Sequence, residues 1–172
     1  MKKIYLLAVF VMLLLHPDFA CAQSAVLNEG FENAVFPPAG WSVTDRDADH
    51  HGWLLAGQGL KVYAGKQLAI SYTCDPKAYP IVEYSRQDNW LITPQINITN
   101  NAFTLECFYA EEDNESHDSL VVRVSTTGNH PADFTEKLAE LDVRNEEGEV
   151  NFQKLTRSLS KFSGQKIYIA FV

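Results

Sequence analysis

The chain has 172 residues, 46% hydrophobic and 21% charged, with a formal net charge of −8. An acidic balance of that size disfavours nucleic acid and anionic membrane as partners, since both repel a negative surface. It suits divalent cations and neutral ligands, and the length allows one domain with a real core but not two.

The N-terminus reads as a secretory signal over residues 1–22: basic Lys2 and Lys3, an apolar run over 4–15, and the small-residue site Ala20-Cys21-Ala22 ahead of Gln23. The apolar run is too short to span a bilayer. A lipoprotein signal with Cys21 as the acylated residue ranks second, because Asp18-Phe19-Ala20 lacks the usual Leu. The fold is therefore assigned to residues 23–172, whose formal charge becomes −9 once Lys2, Lys3 and Asp18 are removed.

The rest of the chain is a series of short β runs separated by turn residues, without a sustained helical period. Strands are predicted over residues 26–31, 41–44, 53–55, 68–72, 89–92, 103–109, 119–125, 135–141, 153–158 and 166–172. Leu120, Val122 and Val124 alternate with Val121, Arg123 and Ser125, and Ile167, Ile169 and Phe171 repeat the pattern of a half-buried strand. Breaks fall at Pro37-Pro38-Ala39-Gly40, Thr127-Gly128-Asn129-His130-Pro131 and Ser163-Gly164. Residues 131–141 resist this reading, because Phe134, Leu138 and Leu141 stand at helical spacing among good helix formers. We assign one helical turn near 131–134 and a strand after it. About ten short strands in one domain predict an all-β, two-sheet antiparallel sandwich of jelly-roll type.

The richest local feature is Thr44-Asp45-Arg46-Asp47-Ala48-Asp49-His50-His51-Gly52-Trp53, with carboxylates at every second position between two tryptophans. In a tight loop, alternate carboxylates and intervening carbonyls converge on one hard cation, and oxygen-only ligation favours Ca²⁺ over Zn²⁺. A solvated acidic turn explains the same residues. His50 and His51 offer little to zinc, because adjacent histidines diverge and no third nitrogen or sulfur ligand is spaced to close a tetrahedral site.

Cys21 leaves with the signal, so Cys74 and Cys107 remain, and sequence leaves a disulfide and two free thiols equally open. Trp41, Trp53 and Trp90 read as core anchors rather than a sugar platform. Tyr63, Tyr72, Tyr79 and Tyr84 flank the Pro-containing stretch over 74–86, and are the better candidates for ligand contact because loops on a rigid sandwich carry binding.

An ordered set of motifs adds a resemblance. Gly30-Phe31-Glu32, Phe36-Pro37-Pro38, Gly40-Trp41, the Asp45-x-Asp47 loop leading to Gly52-Trp53, and Asp88-Asn89-Trp90-Leu91-Ile92-Thr93-Pro94 together resemble the cleaved adhesin family. That family is also described as the choice-of-anchor J domain, and is known from the haemagglutinin/adhesin regions of gingipain proteases. Phe108-Tyr109-Ala110, Val124-Ser125-Thr126-Thr127-Gly128, Ala132-Asp133-Phe134-Thr135 and Ile167-Tyr168-Ile169-Ala170-Phe171 agree with it.

The resemblance implies a MAM-like jelly-roll sandwich, stabilised by calcium, non-catalytic, and adhering to host extracellular proteins or glycans from a secreted or bacterial outer-surface position. It implies that Glu32, Asp45 and Asp47, and less securely Asp49, lie near calcium. Asp113 and Asp118 are the candidates of a second acidic loop over 111–118, which a solvated hairpin tip also explains. Family members continue to a closing strand with paired Asp residues, whereas this sequence stops at Val172. The expectation is a domain short of its last strand, able to self-associate through an open sheet edge.

An enzyme reading has little support. The sequence contains no Gly-x-Ser-x-Gly, no His-Glu-x-x-His and no phosphate-cradling loop. Glu32 with Asp45 as an acid and base pair would need a cleft that sequence cannot show. A carbohydrate-binding module of a secreted polysaccharide-degrading or protease system shares the sandwich and structural calcium, and is the alternative.

Overall fold

The computed structural model describes residues 26–71, 87–111, 118–143 and 150–172. The expected signal over 1–22 lies outside them. Among the described residues ten strands run in chain order: β1 (Ser42–Asp45), β2 (Leu54–Ala56), β3 (Leu68–Ile70), β4 (Asn89–Ile92), β5 (Ile96–Ile98), β6 (Thr104–Tyr109), β7 (Asp118–Ser125), β8 (Glu136–Val143), β9 (Gln153–Ser158) and β10 (Gln165–Phe171). Every pairing among them is antiparallel.

The main sheet has six strands in the order β1-β4-β10-β7-β8, with β5 pairing the start of β10. β10 sits at its centre because its alternation supplies two apolar faces. Ile167 and Ile169 are fully buried toward a second layer, the β6–β9 pair, whose Leu105, Cys107, Tyr109 and Leu155 meet them together with Ile96, Ile98, Val122 and Val124. Each such aliphatic side chain contributes on the order of 1.5–3 kcal/mol on burial. On the opposite face of the main sheet, Trp90, Ile92 and Ala170 pack under Phe134. β2 and β3 form a separate ribbon.

The all-β class and the antiparallel two-layer packing expected from sequence are observed, and so is the assignment after Thr127. Pro131–Asp133 is a single 3-10 turn and β8 follows. Local helix preference yields there because β8 pairs with β7 along its length, Leu141 opposite Leu120 and Ala139 opposite Val122, with the register slipping past Leu138. Phe134, freed from a helical face, caps Trp90 with ring centroids 5.5 Å apart.

Two expectations need correction. Residues 26–31 are not a strand, because the chain turns at Phe31, whose φ is +58° and whose ring packs on Phe36 and Trp41. β5 lies outside the predicted strands, because Pro94 breaks the run after β4. Across that break Thr93 substitutes for a ladder rung: its Oγ1 accepts from Ile169 N at 3.0 Å and its N–H donates to Ile169 O at 2.9 Å. One edge of β10 thereby serves β5 and then β4.

Candidate metal centre

β1 ends at Asp45, which lies opposite Asn89 of β4. Beyond it the chain is held by its own carboxylates. Asp45 Oδ1 accepts from Ala48 N at 2.7 Å and Oδ2 from His50 N at 2.9 Å. These two bonds fold the loop so tightly that Ala48 and His50 take left-handed φ values of +59° and +69°. Such backbone costs a non-glycine residue about 1–2 kcal/mol, which the carboxylate bonds offset.

The other two carboxylates reach across to the residues leading into β4. Asp47 Oδ2 accepts from Asp88 N at 3.0 Å, and Asp49 accepts from His51 N at 2.8 Å and Gln87 Nε2 at 3.0 Å. Asp88 is itself fixed by Arg46, at 3.1 Å, and by Trp90 Nε1, at 2.6 Å. As a result Asp45, Asp47 and Asp49 each present a carboxylate oxygen within 4.8 Å of the others.

That crowding shows in their acidity. The hydrogen bond with Asp47, aided by the His50 and Ala48 amides, holds the Asp45 carboxyl below its usual range. Lost hydration, and then the same bond to Asp45, pushes Asp47 up. Like charges this close repel when both are ionised, and a cation between them would relieve that repulsion. The donor set fits a hard divalent ion, being all oxygen with no histidine or cysteine in the group.

Asn89 supports the loop from beneath. It is 3% exposed, and the two hydrogens of its Nδ2 serve His51 O at 2.9 Å and Gln87 Oε1 at 2.8 Å, with Ser71 Oγ sharing one of them at 3.3 Å. Its buried Oδ1 has no partner among the described residues. Trp53 closes the far end, with Nε1 donating to Asn89 O at 3.1 Å. Sequence reasoning missed the roles of Gln87, Asp88 and Asn89. They lie some forty residues from the acidic run, and the Asp88-Asn89-Trp90 motif was the one signal pointing at them.

The structure brings Asp45, Asp47 and Asp49 together and takes Glu32 elsewhere. The Glu32 carboxylate accepts from Lys66 N at 3.0 and 3.1 Å and from Gln67 N at 3.2 Å, pinning the loop between β2 and β3. Asp118 opens β7, and its side chain lies outside what is described, as do Asp113, Tyr72, Tyr79, Tyr84 and Cys74. Cys107 is a free thiol on the inner face of β6. Burial pushes its pKa up to about 11.

Fold and loop together define a class, an antiparallel β-sandwich module with an acidic loop leaving an edge strand of its main sheet. The model of the Cleaved Adhesin Domain matches residues 24–169, and the chain belongs to that family. Hemagglutinin A of Porphyromonas gingivalis (strain ATCC BAA-308 / W83) is 31% identical over 169 residues, covering 87% of this chain and 7% of that protein. Lys-gingipain W83 of Porphyromonas gingivalis is 32% identical over 124 residues, covering 70% of this chain and again 7% of the relative. The chain thus spans less than a tenth of the length of either. The crystal structure of the K1 cleaved adhesin domain of Lys-gingipain from Porphyromonas gingivalis W83 superposes with a TM-score of 0.71 at 27% identity, covering 86% of this chain and 87% of that one. Among the described residues, no helix is long and apolar enough to cross a membrane.

Proposed function

We propose that this chain is a secreted, non-catalytic adhesion module that holds Ca²⁺ at Asp45, Asp47 and Asp49 and contacts host extracellular proteins or glycans from the outer cell surface or medium. The observation that carries the reading is the gathering of three carboxylates within 4.8 Å on one loop of a cleaved adhesin domain. The residues present would supply part of a calcium shell of 6–8 oxygens, with carbonyls and water completing it. Calcium there acts on structure: it neutralises the crowded carboxylates and fixes a loop otherwise held by hydrogen bonds alone. Export follows from the signal-like residues 1–22.

The test has two arms. Titration calorimetry of the protein stripped with chelator reads Ca²⁺ binding, with Mg²⁺ as the competing hard ion; no heat with calcium removes the metal part of the proposal. Immobilised protein incubated with host matrix proteins and glycans should retain ligand and release no product. Turnover of an ester, peptide or polysaccharide that disappears in both Glu32→Gln and Asp45→Asn replaces the binding reading with an enzymatic one.

A further inference from the structure

The outer surface of the β6–β9 pair carries alternate residues of both strands: Thr104 opposite Ser158, Glu106 opposite Thr156, and Phe108 opposite Lys154, all exposed. Phe108 is an unusual occupant of such a surface, and it does not stand alone. Tyr63, from the loop between β2 and β3, lies flat on it with ring centroids 3.7 Å apart and planes inclined by 14°. Phe152 meets Tyr63 edge-on at 5.7 Å. Tyr63 is still 55% exposed and Phe108 40%. One face of the Tyr63 ring is spent on Phe108, so the area left in water is available to a partner.

The loop that delivers Tyr63 is braced on both sides. Glu32 accepts from the Lys66 and Gln67 amides, Leu60 N donates to Gly57 O at 3.1 Å, and Gly57 lies against the Lys66 carbonyl too closely to admit a side chain. Tyr63 is therefore a pre-organised ring, which lowers the ordering cost of binding.

The rim selects the partner. A protein partner needs roughly 800 Å² per side, with a cluster of buried apolar anchors. Three rings cannot supply it. Beside them stands a charge-balanced pair, Lys154 with Glu106 at 2.7 Å, Lys154 also lying 5.8 Å from the Phe108 centroid, and the next pair along the same face is Glu106 opposite Thr156. A flat aromatic face beside a hydrogen-bonding pair without net charge matches a neutral pyranose. A sugar ring sets its C–H face on the aromatic ring and its hydroxyls against the rim. The galacto configuration fits best, because its axial O4 leaves the hydrogens on C3, C4 and C5 together on one face. The net charge of −8 disfavours acidic sugars.

We propose that Tyr63, stacked on Phe108 and flanked by Lys154 and Glu106, is a binding platform for the terminal β-galactoside of a neutral glycan. The proposal rests on the reading of this chain as a binding module and gives that module a site and a ligand class.

Saturation-transfer NMR and calorimetry with lactose test it, using 3′-sialyllactose as the acidic counterpart. Saturation should concentrate on H3, H4 and H5 of the galactose ring. Tyr63→Ala should weaken binding about tenfold while Tyr63→Phe preserves it, each variant being shown by its cooperative melting curve to be folded at the binding temperature. The proposal is overturned if wild-type protein transfers no saturation to lactose, if Tyr63→Ala binds lactose as wild type does, or if sialyllactose binds more tightly than lactose. Tyr63→Ala losing a host protein that lactose does not displace would also overturn it, in favour of peptide docking. Host-protein retention that persists without lactose binding sinks the platform and leaves the adhesion reading intact. Product release sinks the non-catalytic reading and leaves the platform to be judged by the lactose arms.

Discussion

Asp45 and Asn89 face each other across the first rung of the β1–β4 ladder, and between them they hold both ends of the acidic loop. Asp45 takes the amides of Ala48 and His50, and Asn89 donates to the carbonyl of His51. The loop is thus shaped by the protein before any ion arrives, and a cation would find its ligands already aimed.

Asp45 and Asp47 should consequently behave differently on substitution. Asp47 is exposed and takes the Asp88 and Asp49 amides, bonds that the Asn oxygen can keep, so Asp47→Asn should leave the chelated protein nearly unchanged while removing most of the stabilisation that bound Ca²⁺ would confer. That stabilisation is about 2.7 kcal/mol at a hundredfold excess over the dissociation constant. Asp45→Ala should lower the melting temperature in chelator as well, because it also frees the Ala48 and His50 amides. Scanning calorimetry in calcium and in chelator separates the two. Equal behaviour of both variants would contradict the division of roles.

Asn89→Ala should cost about 1–3 kcal/mol, the penalty for removing a buried side chain and leaving its half-buried acceptors without their donor. Urea unfolding reads the loss, and amide exchange should show His51 and its neighbours opening first. A change under half a kcal/mol would mean that water replaces the side chain without cost.

Gly65 has φ +73°, and a Cβ there would run into the Glu32 carboxylate. Gly65→Ala should therefore destabilise by about 1–2 kcal/mol from the left-handed backbone alone. It should also free the loop that carries Tyr63, which limited proteolysis between β2 and β3 would detect. Wild-type resistance to cleavage in the variant would show that Glu32 moves aside without consequence.

Cys107 sets an alkaline limit. Its pKa rises from 9.0 to about 11 because burial disfavours the thiolate. At alkaline pH the unfolded chain loses this proton before the folded one does, so the contribution of the thiol to stability is complete below about pH 9 and is lost as pH climbs toward 11. Cys107→Val should flatten that part of the stability profile. In native protein the thiol should react slowly with disulfide reagents, at a rate that rises sharply in urea. Fast labelling of the folded protein would contradict its burial.

Strand positions were legible wherever alternation was strong. β4 and β9 fall on their predicted residues, and β10 differs by one residue at each end. Failures came where backbone geometry outweighed pattern. Val26 and Leu27 look like the start of a strand, yet they stay exposed because Phe31 turns the chain. β5 hides behind Pro94, and only Thr93, bonding both ways to Ile169, carries the ladder past it.

By itself, the sequence determined the class of fold, the family motifs and the acidic loop, since each depends on residue type at short spacing, where side-chain period and turn chemistry are local. Which of its acidic residues meet was a matter for the tertiary structure. Asp45, Asp47 and Asp49 converge because Asp45 is fixed by amides of its own loop while Asp47 and Asp49 are turned by donors from Asp88 and Gln87, some forty positions on. Glu32, equally plausible in sequence, is drawn instead to the Lys66 and Gln67 amides by the way the chain folds back at Phe31. Pairing of Tyr63 with Phe108 is of the same kind, a contact between a loop and a strand that share no sequence period and meet only when the second sheet is built.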